Sequence, residues 1–222
     1  MSSLITLTSS DGFQLPAYVA QPTGTPRGAL VIVQEIFGVN SHIRAVADGY
    51  AADGFLAIAP ALFERVSPGF ETGYTPEEIA ASRELMAKVS IDDALKDVAA
   101  CIDSVKSAGR VGIVGYCWGG TVAWLAATRL AGLACAVPYY GGQMGKYSNE
   151  TPRCPVMGHF GEQDTMPAPD QIRALVDIHP SVSAYFYSAG HGFNCDQRGS
   201  FDAAASALAR ERTLAFLTEQ VG

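Results

Sequence analysis

The sequence predicts an α/β protein in which helices cover both faces of a mostly parallel central sheet. Short apolar runs alternate along the chain with longer segments that carry helix-start signals, and this alternation is typical of strand–helix–strand units. Residues 29–34 (Ala-Leu-Val-Ile-Val-Gln) are apolar almost throughout, as expected of a strand that is covered on both faces.

The first half of the chain begins with an antiparallel strand over residues 13–20, which tolerates Pro16 because it lies near an edge of the sheet. Strands at 29–34 and 55–59, with a helix over 42–53 between them, form a crossover unit. Thr75, followed by Pro76 and by Glu78 three residues on, marks a helix start. Ser90 opens another helix that runs to about residue 107. The Pro- and Gly-rich loop 60–73 is predicted to be a mobile flap over the site.

The second half repeats the alternation. It holds strands at 111–114, 133–139, 154–160 and 182–187, and helices over 120–127, 169–178 and 201–219. With 222 residues, 48% of them hydrophobic, the chain can bury one sizeable core. We therefore expect a single domain over residues 1–222.

Composition excludes several function classes. The net charge is −7 and no basic run occurs, which argues against nucleic-acid binding. The N-terminus lacks the features of a signal peptide, and no apolar stretch is long enough to cross a membrane. Five scattered cysteines without a Cys-x-x-Cys pair fit a reduced cytoplasm better than a disulfide framework or a zinc site. We expect a cytoplasmic monomer without cofactor or metal.

The most informative motif is Gly-Tyr-Cys-Trp-Gly at residues 115–119, which directly follows an apolar run. It matches the strand–turn–helix elbow that holds a catalytic nucleophile, with cysteine in place of the usual serine. The helix that follows would point its free N–H groups at the Cys117 thiol and favour the thiolate. A buried structural cysteine in a Gly-rich turn is the alternative.

An elbow of this kind needs an acid and then a histidine further along the chain. Asp164 follows the apolar segment 154–160, and His191 lies between two glycines just after the strand predicted at 182–187. Open α/β sheets place their sites past the carboxyl ends of strands. The order Cys117, Asp164, His191 is that of the catalytic triad of the α/β-hydrolase fold.

The chain also resembles the dienelactone hydrolase (carboxymethylenebutenolidase) family over essentially its whole length. The segments that carry the resemblance are Gln34-Glu35-Ile36-Phe37-Gly38, Ala59-Pro60-Ala61-Leu62-Phe63, Val114-Gly115-Tyr116-Cys117-Trp118-Gly119-Gly120, Tyr139-Tyr140-Gly141, Gly161-Glu162-Gln163-Asp164 and Gly190-His191-Gly192-Phe193. The resemblance implies an α/β-hydrolase fold and the hydrolysis of a lactone or small ester.

The resemblance also implies roles for these residues. Cys117 would attack the ester carbonyl, His191 would transfer protons, and Asp164 would orient the imidazole. Glu35 matches an acid that hydrogen-bonds the resting thiol and accepts its proton when substrate binds.

The oxyanion hole would come from the backbone N–H groups of Ile36 and Trp118. The family uses two arginines to hold the carboxylate of a dienelactone, and here Arg83 and Arg198 are the nearest candidates. Asp196 would repel an acidic ligand. Phe37 could instead contribute to an apolar substrate pocket or pack in the core.

Two classes of function follow. The first is a thiol hydrolase acting on a small-molecule lactone or ester. The second is a non-catalytic protein that senses oxidants or electrophiles through an activated Cys117. A complete acid–histidine pair and a second carboxylate at Glu35 favour the hydrolase, because a sensor needs neither.

Overall fold

A computed structural model describes residues 1–222. It contains eight strands: β1 Ser2–Thr8, β2 Gln14–Ala20, β3 Ala29–Val33, β4 Leu56–Pro60, β5 Val111–Tyr116, β6 Leu133–Tyr139, β7 Met157–Gly161 and β8 Ser183–Tyr187. The six α-helices are α1 Ser41–Ala52, α2 Pro76–Met86, α3 Ile91–Val105, α4 Trp118–Arg129, α5 Pro169–Ile178 and α6 Ala203–Gln220.

All eight strands belong to one sheet, in the order β1-β2-β4-β3-β5-β6-β7-β8. The pairings β1–β2 and β2–β4 are antiparallel, and every other pairing is parallel. Parallel neighbours need a long crossover connection, which is usually an α-helix. The connection from β6 to β7 differs, because it contains only a short 3-10 helix over Met144–Tyr147. The predicted mostly parallel α/β sheet is confirmed.

The sheet separates two hydrophobic cores, which accounts for the helices on both faces. Alternate residues of β3 point to opposite sides, so that Val31 belongs to one core and Ile32 to the other. The first core packs under α3, α4 and α5, and the second packs under α1 and α6. Full burial of a valine or isoleucine side chain stabilises the folded state by about 1.5–3 kcal/mol.

Strand β1 was absent from the sequence-based prediction. Six of its seven residues are exposed, and Leu4 is 77% exposed, so the strand lacks the apolar pattern that marks a buried strand. Backbone pairing with β2 places it at the edge of the sheet, and only its half-buried Leu7 packs against a core. Strand β7 begins at Met157 rather than at residue 154, because the preceding segment reaches β6 only through an isolated bridge at Val156.

The predicted helix starts are confirmed by their caps. Thr75 and Glu78 form a reciprocal capping box at the start of α2, and the Ser90 hydroxyl accepts a hydrogen bond from the third residue of α3. These side chains satisfy N–H groups that a helix leaves free in its first turn. Helix α4 begins at Trp118, two residues before the predicted start, because the turn at Cys117 leads directly into it.

The loop 60–73 packs beside α4. Phe63 in this loop is buried, and its ring meets the Trp118 ring edge-on at 5.2 Å between centroids. Arg65 anchors the loop by bonding to the buried Asp97 of α3 and to Asp11. The loop therefore covers the start of α4, and its mobility stays a prediction. None of the six helices has both the length and the apolar character needed to cross a membrane.

Candidate active site

Cys117 occupies a sharp turn between β5 and α4. Its backbone has φ 56° and ψ −119°, a conformation that L-residues other than glycine rarely adopt. The turn closes because both flanking positions lack a side chain. A Cβ on Gly115 would lie 1.9 Å from the Gly119 carbonyl oxygen, and a Cβ on Gly119 would lie 2.4 Å from the Gln34 carbonyl oxygen. The predicted elbow is present.

Three side chains meet at this edge of the sheet. The Sγ atom of Cys117 lies 3.1 Å from Nε2 of His191, and Nδ1 of His191 lies 2.9 Å from Oδ2 of Asp164. Both distances are within hydrogen-bond range. The structure thus brings together the three residues that the sequence predicted to act in this order.

The topology explains why they meet. Cys117 follows β5, Asp164 follows β7 and His191 follows β8, and these strands run parallel in one sheet. Their carboxyl ends therefore share one edge. The second carboxylate oxygen of Asp164 accepts a hydrogen bond from the Met166 N–H at 2.8 Å, which fixes the carboxylate toward the imidazole.

The charges around His191 favour its protonated form. Burial lowers the pKa of this histidine, but the negative charge of Cys117 and the hydrogen bond that the ring donates to Asp164 outweigh burial and raise the pKa well above its ordinary value. The Asp164 side chain is only 1% exposed and that of His191 is 27% exposed, so water screens this interaction weakly. The group can hold a thiolate beside an imidazolium.

Glu35 does not contact the Cys117 thiol, in contrast to the expectation from the resemblance. The carboxylate is buried, and its Oε1 accepts a hydrogen bond from Nη1 of Arg198 at 3.1 Å. Its Oε2 has no hydrogen-bond partner. The guanidinium at Arg198 offers this buried carboxylate a full counter-charge, and the thiol is bonded to His191 instead.

Two backbone N–H groups remain free at the site. The N–H of Ile36 follows the end of β3, and the N–H of Trp118 is the first in α4. Neither donates a hydrogen bond within the chain. The close packing of Gly119 on the backbone of Val33 and Gln34 brings the start of α4 against the segment that holds Ile36. Free N–H groups at a helix start can stabilise an oxyanion.

The candidate substrate contacts fall in different places. Arg198 is largely buried and paired with Glu35. Arg83 is exposed on α2 and makes neither a hydrogen bond nor an ion pair with the site. Phe37 is 1% exposed and packs against Tyr74 and Arg198, which makes it a core residue beneath the site.

Asp196 also differs from expectation. Its side chain is 69% exposed, and its Oδ1 lies 3.3 Å from Nδ1 of the buried His42. Asp196 is thus a hydrogen-bond partner for a histidine rather than a lone repulsive charge. The pair joins residues 154 positions apart, so nothing in the local sequence could indicate it.

Sequence reasoning gave no role to three further residues near the site. Tyr140 has φ 38°, and its ring meets the His191 ring edge-on at 5.1 Å between centroids. Its buried hydroxyl has no partner, and burial keeps its pKa well above the ordinary value. His42 and Cys195 lie with Glu35 in one buried group that could hold a metal ion. Only the Tyr139-Tyr140-Gly141 segment had been noted in the sequence.

Comparison with known proteins identifies the family. The family model described as the dienelactone hydrolase family matches residues 15–221. A carboxymethylenebutenolidase from Pseudomonas putida is 34% identical, with 96% of this chain and 94% of that protein aligned. A Synechocystis protein assigned the same name is 36% identical, over 95% of this chain and 94% of the relative.

A solved structure supports the same assignment. The crystal structure of a Klebsiella pneumoniae protein assigned as a dienelactone hydrolase superposes with a TM-score of 0.88. It shares 28% sequence identity, with 99% of this chain and 98% of that chain covered. Fold, sequence and family model therefore agree over nearly the whole chain. The chain belongs to the dienelactone hydrolase family and is a carboxylic ester hydrolase.

Proposed function

We propose that the protein hydrolyses a lactone or small carboxylic ester with Cys117 as nucleophile, His191 as acid and base, and Asp164 as the orienting carboxylate. The observation that carries this proposal is the continuous chain of hydrogen bonds from Sγ of Cys117 through His191 to Asp164, at 3.1 and 2.9 Å. A nucleophile, a base within hydrogen-bond reach and a third group that orients the base are the parts that acyl transfer needs.

In the acylation step, the Cys117 thiolate attacks the carbonyl carbon and forms a tetrahedral intermediate. The intermediate collapses as its ester oxygen takes a proton from the His191 imidazolium, which leaves a thioester on Cys117. For a lactone, this step opens the ring and the alcohol stays attached to the acyl group.

In the deacylation step, the neutral His191 accepts a proton from water while the water oxygen attacks the thioester. The second intermediate expels the Cys117 thiolate and releases the acid, so that the enzyme returns to the thiolate–imidazolium form. Asp164 hydrogen-bonds the imidazole throughout and stabilises its charged form.

The free N–H groups of Ile36 and Trp118 are proposed to bind the oxyanion of each intermediate. Their lack of an acceptor within the chain supports this role. Removing one donor of this kind typically costs about 100- to 1,000-fold in kcat, so these groups would supply a large part of the rate.

Arg198 and Glu35 are proposed to shape substrate binding rather than the chemistry of the thiol. Burial lowers the pKa of Arg198, but Glu35 and then Cys117 raise it above its ordinary value, so the guanidinium lies within electrostatic reach of the reacting sulfur. Its partial neutralisation by Glu35 argues that a substrate carboxylate is not required. Small lactones and aryl esters are therefore the proposed substrates.

A turnover panel tests this function. The protein is assayed on lactones and aryl esters, each as an uncharged and a carboxylate-bearing version, before and after treatment with a thiol-blocking reagent. We expect turnover of the uncharged members that the reagent abolishes. Stoichiometric labelling of Cys117 without turnover of any member would instead favour the sensor of oxidants or electrophiles.

A further inference from the structure

A second group of chemically capable side chains lies beneath the active site. Glu35 follows β3, His42 is in the first turn of α1, and Cys195 follows the loop that carries His191. Each offers one ligand atom, and the three atoms lie within 4.8 Å of one another. All three residues are buried, with exposures of 1%, 4% and 0% respectively.

We propose that Glu35, His42 and Cys195 form a binding site for a divalent transition metal of the zinc class. A carboxylate, an imidazole and a thiolate are the donor set that zinc accepts, and imidazole and thiolate discriminate against magnesium and calcium. Three protein ligands leave a fourth coordination position open. This site shares Glu35 with the Glu35–Arg198 pair that is proposed to shape substrate binding, so its test measures metal binding rather than turnover.

Two unpartnered atoms point to a ligand in this group. Oε2 of Glu35 and Nε2 of His42 are buried and have no hydrogen-bond partner, although buried polar atoms are nearly always paired. The other polar atom of each side chain is occupied. Oε1 of Glu35 accepts a hydrogen bond from Arg198, and Nδ1 of His42 is within hydrogen-bond distance of Asp196. The atoms left free belong to the residues that a metal would use.

The contact between His42 and Asp196 has the form found behind the histidine ligands of zinc sites. A metal-binding histidine commonly gives its other ring nitrogen to a carboxylate, which fixes the tautomer and orients the ring. The contact of 3.3 Å between Nδ1 of His42 and Oδ1 of Asp196 matches this pattern. With a proton on Nδ1, the lone pair of the unpartnered Nε2 is available to a metal.

The distances require a small contraction. The centre of a triangle with edges of 4.8 Å lies about 2.8 Å from each corner, and zinc bonds measure about 2.0–2.3 Å. Each ligand atom would therefore move inward by roughly half an ångström. Side-chain rotations of this size leave the Glu35–Arg198 and His42–Asp196 contacts within reach.

The charges balance when the metal binds. A divalent ion displaces the proton of the Cys195 thiol, and the two charges of the ion then meet one thiolate and one carboxylate. Arg198 and Asp196, the flanking charged groups, cancel each other. A cavity of about 260 Å³ beside α1 is lined in part by His42 and Asp196, so one of the three proposed ligands borders open space.

Cobalt(II) binding tests the site, because a thiolate bound to Co²⁺ gives a charge-transfer absorption band in the near ultraviolet. The experiment uses Cys117→Ala protein throughout, so that the active-site thiol cannot contribute. We expect one equivalent of Co²⁺ to bind with this band, and Zn²⁺ to displace it. Adding Cys195→Ser should abolish the band, whereas adding Cys154→Ser, which alters a half-buried thiol elsewhere, should leave it.

A variant of Asp196, which contacts His42 rather than the proposed metal, keeps the test decisive if the ligand variants misfold. Asp196→Asn changes an exposed side chain, and it should weaken Co²⁺ binding by roughly 10- to 100-fold while the far-ultraviolet circular dichroism stays unchanged. A thiolate band that persists in Cys195→Ser, or the absence of stoichiometric binding to the Cys117→Ala protein, would overturn the proposal. Unaltered affinity in Asp196→Asn would also count against it.

Discussion

At the scale of single residues, the chemistry of Cys117 depends on neighbours from distant parts of the chain. His191 faces the thiol, Asp164 holds His191, and the start of α4 supplies free N–H groups. Burial raises the pKa of each of the other four thiols. Cys195 does have a histidine neighbour in His42, but its side chain is fully buried. Only one of the five thiols is therefore suited to attack a carbonyl.

This contrast leads to a test of the nucleophile. Cys117→Ala should abolish ester hydrolysis because it removes the attacking atom. Single alanine variants of the other cysteines should keep most of the activity; these variants are at Cys101, Cys135, Cys154 and Cys195. The variants at the three buried positions will lose stability, because the substitution leaves a cavity. Initial rates on an aryl ester decide the matter, and a Cys117→Ala protein with full activity would refute the assignment.

The protonation of His191 makes a second test. Because its raised pKa depends in part on Asp164, Asp164→Asn should lower that pKa. The loss of kcat/KM as His191 deprotonates should then begin at a lower pH, by about one unit or more. Asp196→Asn, which removes a carboxylate next to a different histidine, serves as the control. Identical alkaline limbs in wild type and Asp164→Asn would contradict this assignment.

The third test concerns Glu35. If this carboxylate positions Arg198, as their 3.1 Å contact suggests, Glu35→Gln should raise KM while the rate of acyl-enzyme formation changes by less than roughly tenfold. Stopped-flow acylation measured over a range of substrate concentrations separates the two effects. A large fall in the acylation rate at saturation, with unchanged KM, would mean that Glu35 takes part in proton transfer at the thiol.

The residues that the sequence could identify are those with a local motif. Cys117 lies in a five-residue pattern, and Asp164 and His191 follow predicted strands in the required order. Glu35 and Arg198 are separated by 163 positions, and His42 and Asp196 by 154. Such pairs depend on how the loops fold back over the sheet, and no spacing along the chain encodes them.

At the scale of elements, the elbow works because α4 packs directly on backbone atoms of the neighbouring segment. Gly119→Ala would place a Cβ 2.4 Å from the Gln34 carbonyl oxygen, so α4 must shift. We expect a loss of about 1–3 kcal/mol in the free energy of unfolding. A shift of about 1 Å at Cys117 would also lower kcat/KM by up to about 100-fold.

Gly199→Ala is the matched control, because a Cβ at Gly199 would meet no atom within 4 Å. Urea denaturation and ester turnover should show wild-type behaviour for this variant. If Gly119→Ala also matched wild type in both measurements, the close packing of α4 would not be what holds the elbow.

Elements were predictable where an apolar pattern or a cap marked them. The capping box of α2 and the buried run of β3 are local signals, and both elements lie where the sequence places them. Strand β1 carries no such signal, because its side chains are exposed and its position depends on hydrogen bonds to β2. Pairing at a sheet edge is a property of two segments and cannot be inferred from one.

At the scale of the whole molecule, His159 connects three elements. It lies in β7, its Nδ1 is 2.8 Å from the Tyr187 hydroxyl in β8, and its Nε2 is 2.9 Å from Oγ1 of Thr213 in α6. Burial is the main reason that the pKa of His159 falls to about 3. The folded protein therefore keeps this imidazole neutral where the unfolded chain would protonate it.

This difference makes stability depend on pH. Between pH 6.5 and about 3, unfolded His159 binds a proton that the folded protein does not. The free energy of unfolding should therefore fall as the pH falls, by up to about 1.4 kcal/mol per unit from this residue. His159→Gln, measured by urea denaturation at several pH values, should show a shallower decline than wild type. Parallel declines would show that His159 is not responsible.

The backbone at Cys117 has a consequence for how such an enzyme can be improved. Holding a residue other than glycine in that conformation costs on the order of 1–3 kcal/mol, a large share of the roughly 5–15 kcal/mol that keeps a typical domain folded. Selection for heat resistance alone would thus favour glycine at this position and would discard the nucleophile along with the strain. Thermostabilising libraries should therefore fix residues 115–119 and seek their gains elsewhere.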